Sequence, residues 1–208
     1  FPIYGGLLRL TRGDQVADVK KPRRRPRSDG QRNRERLLDV AKAAFTAGEV
    51  DIALDEIARR AGVGIGTLYR HFSSRDALIE AVYRAELDRL AKAAPVLAAQ
   101  YPPIEALRAW MLLFVDYIAA KQVIAPALNG LVGGTGALYA QSGDILQAAV
   151  NGLVSAAVAT GDLRVGIEPL DLLRALAGVS NFSAGPGWES SAKRLVDILI
   201  AGSRASVS

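Results

Sequence analysis

The chain has 208 residues, and half of them are hydrophobic, which is enough to bury a sizeable core and argues against wholesale disorder. It has no cysteine and a single histidine, so disulfides, thiolate zinc sites and cysteine nucleophiles are excluded, and a multi-histidine metal site is disfavoured. The formal net charge is +5, and much of the positive charge lies in one segment near the start of the chain. Such localised charge favours a polyanionic partner.

Residues 1–27 are predicted to be a disordered leader followed by a basic arm. The leader lacks the basic, apolar and small-residue order of a secretory signal peptide, and we assign residues 1–19 no function. Pro22 and Pro26 exclude a helix interior for the basic run, so an extended arm is expected. A merely solvated tail is the alternative. The basic residues of the run and of the segment after it are Lys20, Lys21, Arg23, Arg24, Arg25, Arg27, Arg32, Arg34 and Arg36.

Residues 28–73 are predicted to form a three-helix domain. The first helix begins near Ser28, and Gly48 is its expected stop. Its apolar face repeats at steps of three and four residues and consists of Leu37, Val40, Ala41, Ala44 and Phe45. Two short helices are expected at residues 54–60 and 65–71, on either side of Ala61-Gly62-Val63.

Residues 74–208 are predicted to form a helical body. Ser74 is well placed to cap a fourth helix, and Pro95 is expected to end that helix near Ala94. Further helices are expected at about 103–120, 122–130, 137–160, 168–182 and 188–204. The fold class is therefore all-α, with an N-terminal helix-turn-helix head on a C-terminal body. The most apolar segment, residues 110–119, is interrupted by Asp116 and is too short for a membrane span.

The segment from residue 55 to residue 72 fits two short helices that cross through a tight turn. Ala58 is small where the helices would approach, and Gly62 can adopt the left-handed conformation that ends the first of them. Val63 and Leu68 would fill the space between the helices and the core. The second helix would then expose side chains suited to phosphates and base edges in the major groove, namely Thr67, Tyr69, Arg70 and His71.

About a quarter of the chain, residues 34–83, resembles the DNA-binding head of the TetR family of bacterial regulators. The matching residues are Ile57-Ala58, Ala61-Gly62-Val63, Gly66-Thr67-Leu68-Tyr69, His71-Phe72 and Arg75-Asp76-Ala77-Leu78. One departure is Ile52-Ala53-Leu54, where the family usually has a threonine or serine cap on the second helix. The phosphate contact of such a hydroxyl is therefore in doubt, although the N–H groups of a helix start can still hold a phosphate.

The resemblance implies a role for individual residues of the head. Gly66 would bring the helix close to the DNA backbone, Arg70 would contact a guanine edge or a phosphate, and Arg75 would anchor a phosphate. Tyr69 and His71 would donate hydrogen bonds to phosphates. As alternatives, the Tyr69 ring could pack on the head, and His71 could have a structural role. The arm would enter a minor groove. The predicted DNA-binding residues are Arg23, Arg24, Arg25, Arg27, Gly66, Thr67, Tyr69, Arg70, His71 and Arg75.

The resemblance further implies that the body binds an effector and forms a homodimer. The predicted pocket residues are Trp110, Met111, Phe114 and Tyr117, with Asp116 and Asn129 as polar rim and an ordinary bundle core as the alternative. The last two helices would pair with those of a second subunit, which predicts a roughly palindromic operator. The predicted interface residues are Leu173, Leu176, Ala177, Leu195 and Leu199.

These features predict a cytoplasmic bacterial repressor, nucleoid-associated when bound, that a small molecule releases from double-stranded DNA. A regulator without a small ligand, controlled by a protein partner, is the alternative, as is an activator. An enzyme is disfavoured because no metal cluster, carboxylate pair or nucleophile constellation is present in the sequence. Gly133-Gly134-Thr135-Gly136 lacks the lysine of a phosphate loop. No cofactor is expected.

Overall fold

The computed structural model of the chain describes residues 26–131, 134–182 and 187–205. These residues form helices and no strand, apart from an isolated bridge between Leu163 and Arg204. The predicted all-α fold is confirmed. The helices are α1 (Pro26–Thr46), α2 (Leu54–Arg60), α3 (Ile65–His71), α4 (Arg75–Gln100), α5 (Pro103–Asn129), α6 (Gly136–Ala159), α7 (Pro169–Phe182) and α8 (Trp188–Ser203).

Helices α1, α2 and α3 form the head around a small apolar core. Leu37, Ala41 and Phe45 of α1 are buried at the spacing that the sequence predicted, and Ile57 and Leu68 are fully buried opposite them. Gly48 has φ +84, a conformation that disfavours residues with a Cβ atom, and α1 ends just before it. The bounds of α2 and α3 agree with the sequence prediction.

Helix α4 joins the head to the body and is longer than predicted. Ser74 caps it as expected, since its hydroxyl accepts a hydrogen bond from the backbone N–H of Ala77 at 3.1 Å. Pro95 does not end the helix, which continues to Gln100. A proline removes only one backbone hydrogen bond and can be accommodated when the flanking turns are packed. Leu90 and Ala94 are buried against the body, and Pro95 itself is on the exposed side.

Helix α5 is the central helix of the body. The two helices predicted at 103–120 and 122–130 are one, because the polar pair Lys121 and Gln122 lies half-buried within it rather than in a loop. By length and composition α5 is apolar enough to cross a membrane. In this fold it packs instead against α1, α4, α6, α7 and α8, with Leu107, Trp110 and Met111 fully buried.

Candidate nucleic-acid interface

The turn between α2 and α3 has the geometry that the sequence predicted. Gly62 has φ +66, and the backbone N–H of Val63 donates to the carbonyl of Ala58 at 3.0 Å, which closes the end of α2. Leu68 on the inner face of α3 is fully buried. Helix α3 is thereby held on the head by one face, and its opposite face is left to solvent.

The outer face of α3 carries the predicted DNA-contacting side chains. Tyr69 is 53% exposed, so its ring does not pack on the head, and Arg70 is exposed beside it. Thr67 and His71 are half-buried at the edges of the same face. These four side chains offer hydroxyl, guanidinium and imidazole groups, which are suited to phosphate oxygens and base edges.

Gly66 lies on the exposed side of α3, and a Cβ atom built there would meet no protein atom within 4 Å. The fold itself therefore does not require glycine at this position. A helix that must approach another molecule closely does favour glycine, since a bare backbone allows the shortest distance. The close approach of the DNA backbone at Gly66 stays a prediction.

The Arg70 guanidinium is held along α3 by two hydrogen bonds. Its Nε donates to the carbonyl of Gly66 at 3.2 Å, and a terminal nitrogen donates to the Thr67 hydroxyl at 3.1 Å. Both bonds are exposed, so exchange for acceptors on DNA costs little. Arg70 and Thr67 therefore form one polar unit on the surface of the helix.

Arg75, the first residue of α4, is engaged within the protein. Its guanidinium is part-buried and donates to the backbone carbonyls of Ile52 and Val50, in the loop between α1 and α2. Those carbonyls lie outside any helix, and an arginine can satisfy both with its parallel N–H groups. Arg75 thus fixes the loop that leads into α2, and its predicted phosphate contact stays a prediction.

The start of α2 is also less favourable for phosphate than the family pattern. Ala53 provides no side-chain cap, and the first turn contains Asp55 and Glu56. The carboxylate of Asp55 accepts a hydrogen bond from the backbone N–H of Glu56 at 2.9 Å. Negative side chains at this end compete with a phosphate for the same N–H groups.

An ion-pair network on α2 was not anticipated from the sequence. Glu56 accepts hydrogen bonds from Arg59 at 2.6 Å and from Arg60 at 2.7 Å, and Arg60 also pairs with Glu49 at 2.8 Å. The bonds from Arg59 and Arg60 lower the pKa of Glu56 from its usual 4.5 to about 2. The i,i+3 and i,i+4 spacing of these residues was the available signal.

Most of the predicted arm lies outside the part of the chain that the structure describes. This applies to Arg23, Arg24 and Arg25. Arg27 was predicted to be in the extended arm, but its backbone belongs to α1, which begins at Pro26. Proline is tolerated in the first turn of a helix, where its missing N–H has no partner to lose, so Pro26 starts the helix and does not prevent it.

Only part of the predicted effector pocket lines a cavity. Phe114 and Tyr117 face a cavity of about 420 Å³ among α4, α5, α6 and α7. Trp110 and Met111 are instead fully buried in the core, and the Trp110 indole N–H donates to the carbonyl of Leu90 at 2.9 Å. Because Trp110 and Met111 precede the cavity by one turn of α5, helical spacing alone did not separate them from the wall.

The predicted polar rim is located elsewhere. Asp116 is exposed and pairs with Lys193 on α8 at 2.8 Å, and Asn129 is exposed at the end of α5. The polar groups of the cavity come mainly from residues that the sequence did not single out, on helices distant in the chain. They are Tyr83, Lys121, Gln122, Tyr139, Ser142, Ser180 and Asn181.

A chain of hydroxyl groups forms one part of the cavity wall. The Tyr117 hydroxyl donates to Tyr83 at 2.9 Å, Tyr83 donates to Ser142 at 2.9 Å, and Ser142 donates to the carbonyl of Leu138 at 2.7 Å. Burial, followed by the bond to Tyr83, raises the pKa of Tyr117 above its usual value. The Tyr117 hydroxyl is therefore neutral at physiological pH.

The predicted dimer residues divide into two groups. Leu173 and Leu176 are buried within the same protomer, so they belong to its core and not to an outer face. Ala177, Leu195 and Leu199 are half-buried, and Ala177 also lines the cavity. The most exposed large apolar side chains of α7 and α8 are Phe182, at 94%, and Ile198, at 65%.

Two family profiles match the chain. The profile of bacterial regulatory proteins of the tetR family matches residues 37–82, which include α2 and α3. The profile of the C-terminal domain of SbtR-like transcriptional regulators matches residues 102–205, which is half of the chain. Head and body are therefore each similar to the corresponding part of one kind of protein.

Solved structures extend the similarity over most of the chain. A TetR transcriptional regulator from Streptomyces coelicolor is 43% identical, with a TM-score of 0.74 and coverage of 84% of this chain and 99% of that one. A TetR transcription regulatory protein from Mycobacterium vanbaalenii is 32% identical, with a TM-score of 0.70 and coverage of 86% and 99%.

Curated relatives match over the head. An HTH-type transcriptional regulator from Staphylococcus aureus (strain MRSA252) is 36% identical over 75 residues, or 35% of this chain and 39% of the relative. The chain thus spans well under half the length of the curated relatives that it matches. The helix-turn-helix geometry, the profile match over half of the chain and the similarity to the S. coelicolor protein agree on the same family. The chain belongs to the TetR family of bacterial helix-turn-helix transcriptional regulators, which are DNA-binding proteins and not enzymes.

Proposed function

We propose that this protein is a repressor whose homodimer binds a roughly palindromic operator. A small molecule that binds in the cavity of the helical body would release the dimer from the operator. One observation carries the proposal: Tyr83, on the wall of the cavity, belongs to α4, the helix that begins directly after α3. A ligand in the cavity would therefore contact the helix that holds the DNA-reading element. A body with a collapsed core would not offer this contact.

The head and α4 are joined by charged contacts as well as by the chain. Lys42 of α1 pairs with Glu86 of α4 at 2.6 Å, and Arg89 of α4 pairs with Asp39 of α1 at 2.6 Å. A displacement of α4 would carry α1 with it while these pairs hold. A ligand shifts such an equilibrium only by its difference in affinity between the two body conformations.

The proposed dimer uses the outer faces of α7 and α8. Leu195, Ile198 and Gly202 follow one another at three and four residues along α8, so they lie on one side of it. Gly178 of α7 and Gly202 are exposed, and a Cβ atom at either position would meet nothing within 4 Å. Small residues beside Ile198 and Phe182 suit close packing against a second copy.

The experiment is a fluorescence-anisotropy titration of the protein with DNA from its own promoter region, at physiological salt and with excess non-specific competitor. Saturable binding that survives the competitor is expected, with two half-sites about one helical turn apart protected from nuclease. A reporter gene on the same promoter then gives the sign of regulation. Higher expression in the presence of the protein would contradict the repressor and favour an activator.

A further inference from the structure

The cavity proposed above as the effector site has one charged side chain on its wall among the residues that the structure describes, Lys121 of α5. Its ammonium lies over the ring of Tyr139, 4.1 Å from the ring centre. Within the described part of the chain, no carboxylate comes within 4.0 Å of it, whereas Arg84, Lys92, Arg108 and Lys193 of the body each have a carboxylate partner. Burial lowers the pKa of Lys121. A half-buried cation without an anionic partner is a costly feature unless a ligand supplies one.

Several of the other polar groups on the wall are already engaged. The hydroxyl groups of Tyr117, Tyr83 and Ser142 each donate to the next, and the last donates to a backbone carbonyl. The Gln122 amide donates to the carbonyl of Ser180 at 3.2 Å. Lys121 is therefore the strongest donor that the wall presents to a ligand, and its charge selects an anion.

The remainder of the wall is apolar and aromatic. Phe114, Ile118 and Leu146 line it together with the ring of Tyr117. Its volume of about 420 Å³ lies toward the lower end of small-molecule pockets, which span roughly 300–1,000 Å³. Such a site suits a compact molecule with an apolar body and one charged end.

We infer that the cavity takes a small organic acid, whose apolar body lies against Phe114, Ile118 and Leu146 and whose anionic group pairs with the ammonium of Lys121. This inference rests on the proposed function for its biological meaning, but the binding itself does not depend on DNA. The acid would replace the ring of Tyr139 as the main partner of the ammonium, or share the ammonium with it.

The test uses two fluorescent probes with the same skeleton. One is 1-anilinonaphthalene-8-sulfonate, an anion, and the other is N-phenyl-1-naphthylamine, which lacks the sulfonate. Both are titrated into the full-length protein and its variants. Lys121→Gln should weaken the affinity for the sulfonate probe about tenfold and leave the affinity for the neutral probe within about twofold, since the substitution removes only the charge-assisted hydrogen bond. Lys92→Gln, which removes an exposed lysine from α4, is the matched control and should change neither affinity.

A pair of glycines on α6 locates the bound probe. Gly143 lines this cavity, whereas Gly152 lines a separate apolar groove between α4 and α6. A Cβ atom at either glycine would meet nothing within 4 Å, so a side chain can begin at both positions without a clash. Gly143→Leu should weaken the affinity for both probes at least tenfold, because the new side chain would occupy the cavity. Gly152→Leu should leave both affinities within about twofold of the wild type. Thermal melts of all variants show whether each has folded.

Three results would overturn the inference: no binding of either probe to the wild-type protein, equal weakening of both probes by Lys121→Gln, or loss of binding on Gly152→Leu rather than on Gly143→Leu. The promoter titration of the unaltered protein is evaluated separately. If it fails while the probe results hold, the repressor proposal is wrong and the acid site stands. If the promoter titration succeeds while the probe results fail, the acid site is wrong and the DNA-binding part of the proposed function stands.

Discussion

The proposed functions of the head and the body depend on different features. In the head, the proposed function depends on exposed side chains: Tyr69, Arg70 and Thr67 are presented by a helix whose other face is buried. In the body, the proposed function depends on an empty interior space, a cavity whose wall combines residues of four helices. A surface on one short helix is determined by local sequence, whereas a cavity is determined by packing between distant segments.

Helix α5 has core residues and cavity residues on one apolar face, whereas the buried face of α3 belongs to the core alone. Phe114 and Tyr117 line the cavity, but Trp110, one turn earlier on α5, is a core residue. All three share the helical spacing of an apolar face. In the head, by contrast, a residue opposite Leu68 on α3 has only solvent to face. Substitutions can separate core, cavity wall and DNA-reading surface by the size of their effects.

The largest effect is expected for the core of the body. Trp110→Ala should lower the free energy of unfolding by about 3–5 kcal/mol, because it leaves a large void and removes the donor to Leu90. Leu146→Ala, on the cavity wall, should cost only about 1 kcal/mol, since its side chain already borders empty space. Chemical denaturation measures both. If both variants lost the same free energy of unfolding, the assignment of Trp110 to the core and of Leu146 to the cavity wall would be contradicted.

Next in size are the substitutions on the outer face of α3. Tyr69→Ala and Arg70→Ala should each reduce operator affinity by about 1–3 kcal/mol and leave the melting temperature unchanged, because both side chains are exposed. Arg164→Ala, at an exposed arginine between α6 and α7, is the matched control for removal of a positive charge. Anisotropy titrations provide the affinities. Full affinity in both α3 variants would remove the basis for assigning α3 as the reading helix.

Much of the head could be predicted from the sequence because its determinants are local. The bounds of α2 and α3, the left-handed Gly62 and the Ser74 cap each depend on a few adjacent residues. The structural bonds of Arg75 could not be predicted, because its partners are backbone carbonyls of residues 50 and 52, which no side-chain pattern reveals. Pro26 and Pro95 were interpreted as breakers, although one starts a helix and the other is tolerated within one.

The body could be predicted in outline only. Its helix order followed from apolar spacing, but the hydroxyl chain joins Tyr83 to Ser142 across 59 residues of sequence. The same limitation applies to the dimer surface. Leu173 and Leu176 were chosen from an apolar stripe, and burial shows that this stripe faces the protomer's own core. Which of two apolar faces is internal depends on packing that spacing does not encode.

A substitution at Arg75 distinguishes a structural from a DNA-binding role of this residue. Arg75→Met should lower the free energy of unfolding by about 1–2 kcal/mol, since two loop carbonyls would no longer have their partner. Operator affinity should fall as a consequence of the loosened loop. A stable variant with weakened operator binding would instead restore the phosphate anchor that the sequence predicted.

The basic arm should contribute to affinity through charge. Replacement of Arg23, Arg24 and Arg25 by alanine should weaken operator binding by about tenfold at physiological salt and reduce the slope of log affinity against log salt. Removal of one arginine–phosphate pair should lower that slope by roughly one. Titrations at several salt concentrations test this. Unchanged slope and affinity would make these residues a solvated tail.

The smallest effect is expected at acidic pH, from the network on α2. Because the pKa of Glu56 is lowered in the folded state, its contribution to stability is present above its usual pKa of 4.5 and is lost as the pH falls toward about 2. Glu56→Gln should therefore flatten the fall of the melting temperature in this window and have little effect at pH 7. Glu105→Gln, at an exposed acid of α5, serves as the control. A fall as steep as that of the wild type would contradict the network.

The most direct test of the division between a reading head and a controlling body is one titration of promoter DNA, followed by anisotropy at physiological salt with excess competitor. The wild-type protein and the double variant Tyr69→Ala, Arg70→Ala are compared on the same DNA. We expect saturable, competitor-resistant binding by the wild type and its loss in a double variant that melts at the wild-type temperature. Equal binding by both proteins, or wild-type binding that the competitor abolishes, would contradict the assignment of operator recognition to α3.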